Sequence, residues 1–279
     1  MASLDPWNPE AGLFHTSTKD VHFWSAAEAR RFARIRARQT LPPRPVTRYR
    51  GRPLVDLPRP VSEGEFARVV HARRTWRRFS THAVTMEELS TVIGLSTGVQ
   101  KWILAARQRM PLKTSPSGGA RHPIECYVVV REVKGLRPGV YHYAADRHAL
   151  ERLRGPVSKG RLREYLPRSE YFARASALFF LTAVFERQLW RYPYSRAYRA
   201  ALIEAGHVCQ TMLLTATWLG LAPFSVMGLA DSVIEADLGI DGIQESVLYA
   251  AGVGRRPARA TWAPLPKGTL QIRPNRRLG

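Results

Sequence analysis

At 279 residues, with 45% hydrophobic and 23% charged side chains, the chain has the length and composition of a globular protein with a substantial core. Two cysteines, Cys126 and Cys209, exclude a disulfide framework; both sit in apolar runs where a thiol packs as a small hydrophobe, which suits a reducing cytoplasm. No signal-peptide core or bilayer-length apolar run occurs, so a cytoplasmic, non-membrane protein is expected, and a net charge of +21 gives it a field that attracts phosphate, acidic peptide or nucleic acid.

Residues 1–60 read as an irregular arm punctuated by prolines, with one helix over Ser25 to Arg38, where Ala and Arg are strong helix formers. A helix is expected from about Gly64 to Arg74, capped near Ser62, with Phe66, Val69 and Val70 on its buried side. A second runs from Met86 to Thr97 behind Thr85 as N-cap, with Leu89, Val92, Ile93 and Leu95 apolar. Trp102 to Met110 is irregular and reads as a short lid. Cys126 to Val130 is a buried strand; Gly135 to Tyr143 is a turn and an alternating strand, and another edge opens at His148. Residues 156–172 read as helical and basic, and Ala175 to Val184 as a further buried strand. Apolar residues at helical spacing run from Leu202 to Leu219, hydrophobic nearly all round, so this helix belongs in the core or at a dimer interface. A last strand runs from Glu245 into Gly252, Gly254 and Arg255. Strands separated by helices argue for an α+β fold around a mixed or antiparallel sheet.

Three stretches carry chemistry. Ser115-Pro116-Ser117-Gly118-Gly119 ends at a strand, and its glycines allow positive φ and let a flat ligand reach backbone N–H groups. Arg73-Arg74-Thr75-Trp76-Arg77-Arg78 carries more guanidinium groups than a turn requires, and these fork onto phosphate oxygens. Gly252-x-Gly254-Arg255 after a strand offers N–H groups and a cation to a phosphate. His207 reads as a core histidine, since no Cys, His or carboxylate at ligand spacing accompanies it; no metal site is expected.

SPSGG-x-x-HP-x-E-x-Y-V-V-V resembles the flavin-facing loop and strand of the SagB-type dehydrogenases, the azoline-oxidase-like branch of the nitroreductase-fold FMN proteins. RRTWRRF is similar to that fold's R-R-S-x-R-x-F signature, GLRPGVYHY and LGIDG match this branch closely, and Phe14-His15-x-x-Thr18-Lys19 and Leu57-Pro58-x-Pro60 match its leader segment. The resemblance implies an arm over 1–60, an FMN-binding domain over 61–258 and a basic tail over 259–279. It implies a nitroreductase-like fold with the long helix at a homodimer interface, and FMN held by Arg73, Arg74, Thr75, Arg77, Ser115, Pro116, Ser117, Gly118, Gly119, Gln210, Met227, Gly228, Gly252, Gly254 and Arg255.

It also implies dehydrogenation of a ribosomally made precursor peptide, azoline to azole, alongside a cyclodehydratase partner. A base would take the Cα proton, flavin N5 a hydride, and dioxygen would reoxidise the flavin. Members commonly carry Lys-Tyr where this chain has Arg191-Tyr192. Arginine stays protonated and is no base, which leaves Tyr192 as the candidate. That departure keeps open an NAD(P)H-dependent reductase of nitro, quinone or enone compounds. A basic binding protein without turnover is a further alternative, although no nucleic-acid-reading module is present.

Overall fold

The computed structural model describes residues 9–20, 27–28, 30–31, 34–35, 46–47, 49, 51–58, 60, 62–105, 108–167 and 169–258. The helix expected over Ser25 to Arg38 lies largely outside these, and the basic tail over 259–279 wholly so.

A six-stranded sheet orders as β7(Ala149–Arg154)-β6(Gly139–Ala144)-β4(Ile124–Val130)-β8(Ala177–Val184)-β10(Glu245–Arg255)-β9(Leu221–Val226), every neighbouring pair antiparallel. The sheet is therefore antiparallel rather than mixed. The parallel pair among the described residues is the two-residue β1(Val84–Thr85) against β5(Val133–Lys134). Side chains alternate across the pleat, and both faces are covered. Val128, Phe179 and Leu181 face one layer, helices α3(Met86–Thr97) and α6(Arg196–Trp218); Val129, Leu178 and Phe180 face the other, α4(Lys159–Tyr165) and α7(Asp231–Leu238). Burial on both faces explains why β4 and β8 are near-continuous apolar runs.

α3 starts as its residues dictate. Thr85 accepts the Glu88 N–H while the Glu88 carboxylate accepts the Thr85 N–H, a reciprocal capping box. The same carboxylate takes two hydrogen bonds from Arg255, both 2.7 Å, which ties the end of β10 to the start of α3.

Other expectations need correction. Trp102 to Met110 is not irregular: β2(Val99–Ala105) and β3(Gln108–Lys113) form a hairpin. α2 spans Glu65–Ala72, and its cap is Gly64, without a side-chain bond, rather than Ser62. Of the face expected to be buried, Val69 is half-buried, whereas Phe66 is 76% and Val70 42% exposed in the single chain. α6 is buried along one side and open along the other, where Ile203 is 60% exposed and His207 is exposed, so His207 is not a core histidine. Residues 156–172 divide into α4 and a 3-10 turn over Glu170–Arg174. The N-terminal arm holds a helix that composition did not announce, α1(Pro9–Thr18), with proline at its first position. Its His15 is buried, one ring nitrogen on the Tyr198 hydroxyl and the other on the Gly242 carbonyl, and Lys19 pairs with Glu235 at 2.6 Å. Cys126 and Cys209 are buried free thiols, as expected, and burial pushes both upward from the usual thiol range.

Glu88→Ala removes the cap and leaves the partly buried Arg255 guanidinium unpaired. The expected loss is about 2 kcal/mol of unfolding free energy, read from urea denaturation. A loss below about 0.5 kcal/mol, the level of an ordinary surface substitution, would deny the clamp its role.

Candidate functional site

The Ser115–Gly119 stretch forms a tight turn that delivers the chain into β4. Gly119 has φ 62°, and two residues that are not glycine, Ala120 and His122, also have positive φ, at 52° and 46°. Left-handed backbone costs an L-residue about 1–2 kcal/mol, so the surroundings must hold the turn. They do so through polar contacts. The Ser117 hydroxyl accepts the His122 N–H at 2.8 Å, the Ala120 N–H donates to the Ser117 carbonyl at 3.0 Å, and Ser115 lies 3.4 Å from both the Ser96 carbonyl and the Thr211 hydroxyl. Pro116 is exposed beside them. Gln210, exposed on α6, is next in sequence to Thr211.

α5(Phe185–Arg191) brings the other half of this constellation. Tyr192 caps it through its N–H on the Gln188 carbonyl, 3.0 Å away. Its phenol lies over the glycines: a Cβ on Gly119 would sit 3.0 Å from the Tyr192 hydroxyl and 3.4 Å from Arg191 Cγ, and one on Gly118 would sit 2.7 Å from Gln188 Nε2. A side chain at Gly118 would push Gln188 aside, and one at Gly119 would press on the Tyr192 hydroxyl. Gln188 is buried with neither amide atom hydrogen-bonded. An unpaired buried amide costs about 1–3 kcal/mol, which marks it as a group built to meet a partner.

Beneath the turn lies a polar cluster that sequence reading passed over. Lys113, His122 and Glu204 line a small enclosed cavity with Ser96 and Ser115. His122 Nδ1 stands 3.9 Å from Glu204 Oε1, and Nε2 bonds the Pro111 carbonyl at 3.0 Å, so that bond fixes Nε2 as the protonated nitrogen. Burial pushes Glu204 up to about 7, against the opposing pull of Ser117, Lys113 and the Gly118 backbone; burial and the nearby Lys113 hold His122 down at about 4. Lys113 is also lowered, chiefly by burial. The signal available in sequence was Glu204 itself, a carboxylate on the apolar side of a helix. Gln188 had none.

The second group of expected residues lies elsewhere. The segment after α2 runs along the edge of the sheet, with the Trp76 N–H on the Pro223 carbonyl at 3.0 Å and the Ser80 N–H on the Arg255 carbonyl at 2.9 Å. Among the described residues, Arg73 and Arg77 make no side-chain hydrogen bond or ion pair, whereas Arg74 turns back onto the His71 and Arg73 carbonyls. Thr75 is half-buried. Gly252 and Gly254 have packing duties, since a Cβ would collide with Phe224 at the first and Phe79 at the second, and Arg255 is held by Glu88. Met227 is 77% exposed where the chain leaves β9, with Gly228 next to it.

The two groups adjoin opposite ends of β8. Ala183 of β8 faces Ile124, just past the glycine turn, and Ala177 faces Val253, just before Gly254 and Arg255. Six residues of strand separate those positions by about 20 Å.

The buried cluster predicts a pH signature. Glu204 titrates higher folded than unfolded, so its stabilising effect is complete at low pH and is lost as pH rises from about 4.5 to about 7. His122 titrates lower folded than unfolded, so its effect is lost as pH falls from about 6.5 to about 4. The two slopes oppose each other over the shared window. Glu204→Gln removes one of them: urea midpoints should show the variant gaining on the parent from pH 5 to pH 8, by as much as about 3 kcal/mol. Parallel profiles would contradict this assignment.

Comparison with known proteins follows this geometry. Residues 70–255 match the family model described as Nitroreductase family. MJ1384 of Methanocaldococcus jannaschii, a nitroreductase by name, is 32% identical over 196 residues, covering 70% of this chain and 93% of that protein. The trifolitoxin-processing protein TfxB of Rhizobium leguminosarum bv. trifolii is 39% identical over 148 residues, 51% of this chain. The microcin B17-processing protein McbC of Escherichia coli is 30% identical over 131 residues, 45% of this chain. The matched segments span only 39% of TfxB and 48% of McbC. Among solved structures, the E. coli microcin synthetase McbBCD complex with truncated pro-MccB17 bound aligns with a TM-score of 0.60 and 20% identity, over 90% of this chain and 95% of that one, a likeness of fold. Described helices include none long and apolar enough to cross a membrane. With a family match that spans more than half of its length, the chain belongs to the nitroreductase family.

Proposed function

We propose that the chain is an FMN-dependent oxidoreductase that dehydrogenates a ribosomally made peptide, working as a homodimer in which each flavin site takes residues from both copies. The observation that carries this reading is the bare glycine turn under the Tyr192 hydroxyl, with the unpaired amide of Gln188 behind it. Likeness to the trifolitoxin- and microcin-processing proteins supports a peptide as substrate. The McbBCD complex, solved with a truncated pro-peptide bound, supports a partner enzyme such as a cyclodehydratase.

The residues present fit a flavin. A flat ring needs backbone approachable without Cβ atoms, which Gly118 and Gly119 supply with Ser115, Pro116 and Ser117, and the Gln188 amide can offer a donor and an acceptor at a ring edge. A phosphate needs uncommitted guanidinium groups and a hydroxyl, which Arg73, Arg77 and Thr75 supply. When bound, FMN would accept a hydride from the substrate carbon. The chain's own work is orientation and proton handling: Tyr192, acting as its phenolate, would take the proton from the substrate, and Arg191 packs against the same glycine turn.

Division of the site supports the dimer. The turn, which would meet the ring, and the arginine segment, which would meet the phosphate, lie toward opposite ends of β8, at positions about 20 Å apart, and in our reading each copy contributes one group to each of two sites. The open side of α6, with Leu202, Ile203 and Gln210, and the open Phe66 and Val70 of α2 offer the apolar surface such a dimer buries.

Absorbance from 300 to 550 nm of the purified protein tests the cofactor. Yellow flavin bands are expected, unbleached by NADPH under anaerobic conditions; bleaching would favour the nitroreductase reading that MJ1384 suggests, and no bands after adding FMN would end both. Tyr192→Phe should retain flavin and slow peptide oxidation by about 10²-fold. Unchanged turnover would remove Tyr192 from the chemistry.

A further inference from the structure

A groove opens on the side of the glycine turn away from the buried cluster, between β3 and α5. Its walls include Arg109 and Met110 from the hairpin, Ala120 and Arg121 from the turn, and Arg187 and Trp190 from α5. It adjoins the candidate active site: its lining residues Ala120 and Trp190 are next in sequence to Gly119 and Arg191, and the Gly119 Cβ position lies 3.0 Å from the Tyr192 hydroxyl.

The groove is organised around Arg121. Its Nε–H donates to the Gly119 carbonyl at 2.9 Å, one η-nitrogen lies 3.2 Å from Met110 sulfur, and its guanidinium stacks 5.1 Å from the centre of the Trp190 ring. A guanidinium fixed on three sides has already lost its rotamer freedom, and donors remain on its η-nitrogens. Arg109 is stacked in the same way on Trp102, 5.2 Å away. Arg187 is answered by Glu125, but among the described residues Arg109 and Arg121 have no carboxylate partner. Glu186 is the acidic residue of the groove, so two cations outnumber it. Trp190 is 64% exposed, a large apolar face left to water beside those cations.

We propose that this groove seats the part of the substrate peptide next to the reacting residue, and that it selects a carboxylate there for Arg121 and Arg109, beside a flat or apolar side chain laid on Trp190. The inference rests on the peptide-oxidoreductase reading and names the substrate character that reading leaves open. Pre-organised donors favour this occupant over a neutral peptide, because bidentate Arg–carboxylate bonds are about twice as strong as neutral ones. The position, one residue beyond Gly119, ties side-chain selection to orientation of the reacting carbon under Tyr192.

The test is binding, not turnover. Fluorescence anisotropy would compare two fluorescein-labelled Gly/Ser dodecapeptides on the full chain as purified, one carrying Glu-Glu-Phe and the other Gln-Gln-Phe, with flavin content recorded from the same sample. The Glu peptide should bind at least about tenfold more tightly at low salt. Arg121→Ala and the surface change Trp190→Ala should each reduce that ratio at least about fivefold, whereas Arg137→Ala, an equal charge change on the exposed turn before β6, should preserve it. Equal binding of the two peptides, or an Arg137→Ala loss as large as that of Arg121→Ala, would overturn the groove and leave only the diffuse field of a +21 chain. A colourless protein that still prefers the Glu peptide would retain the groove while the flavin reading fails.

Discussion

β4 is the constraint on which the rest depends. It is hydrogen-bonded along both edges, to β6 and to β8, and buried on both faces, so neither its register nor its direction can shift without exposing Val128 on one side or Val129 on the other. The chain that enters β4 must therefore arrive at one place. Residues 115–123 make that entry, and the positive φ values at Gly119, Ala120 and His122 are the backbone consequence of turning sharply into a strand that does not move. Strain and rigidity here have one cause.

The same position explains the polar cluster under the turn. Strained backbone needs fixed partners, and in this chain they are a serine, a histidine and a carboxylate packed where the end of β3 meets α6. Low polarity makes their charges costly, so the cluster favours neutral forms: His122 resists protonation and Glu204 resists ionisation. Each alone would give the protein a strong pH slope. Together they offset one another across mildly acid pH, and the turn above Glu204 keeps a steady electrostatic floor.

Much of this was legible in the residues. Continuous apolar runs marked β4 and β8, and Thr85 as N-cap marked the start of α3 to the residue, because local rules alone decide those elements. Gly118 and Gly119 were legible as a turn without Cβ atoms, and the neighbours that crowd those positions, Gln188 and Tyr192, come from α5 and the residue that caps it. Failures came where tertiary context decides. Nothing local in the sequence shows that Gly252 and Gly254 are packed by Phe224 and Phe79, aromatic rings supplied by distant segments. The β2–β3 hairpin went unseen because Arg and Gln within it obscure the alternation, and its partner strand, not its composition, makes it a sheet. His207 and Glu204 lie three residues apart on one helix, and the wrong one drew attention: the carboxylate is buried and the imidazole is open.

A rigid sheet also governs how such a site can be assembled. The ends of β8 are fixed relative to each other, and the glycine turn and the arginine segment adjoin opposite ends of it. If a single ligand spans the two groups with the second drawn from another copy, the ligand then bridges subunits. Association and cofactor binding become linked, each strengthening the other by the same free energy. The open side of α6 supplies the apolar part of that association, and the uncommitted Arg73 and Arg77 supply the part that waits for an anion.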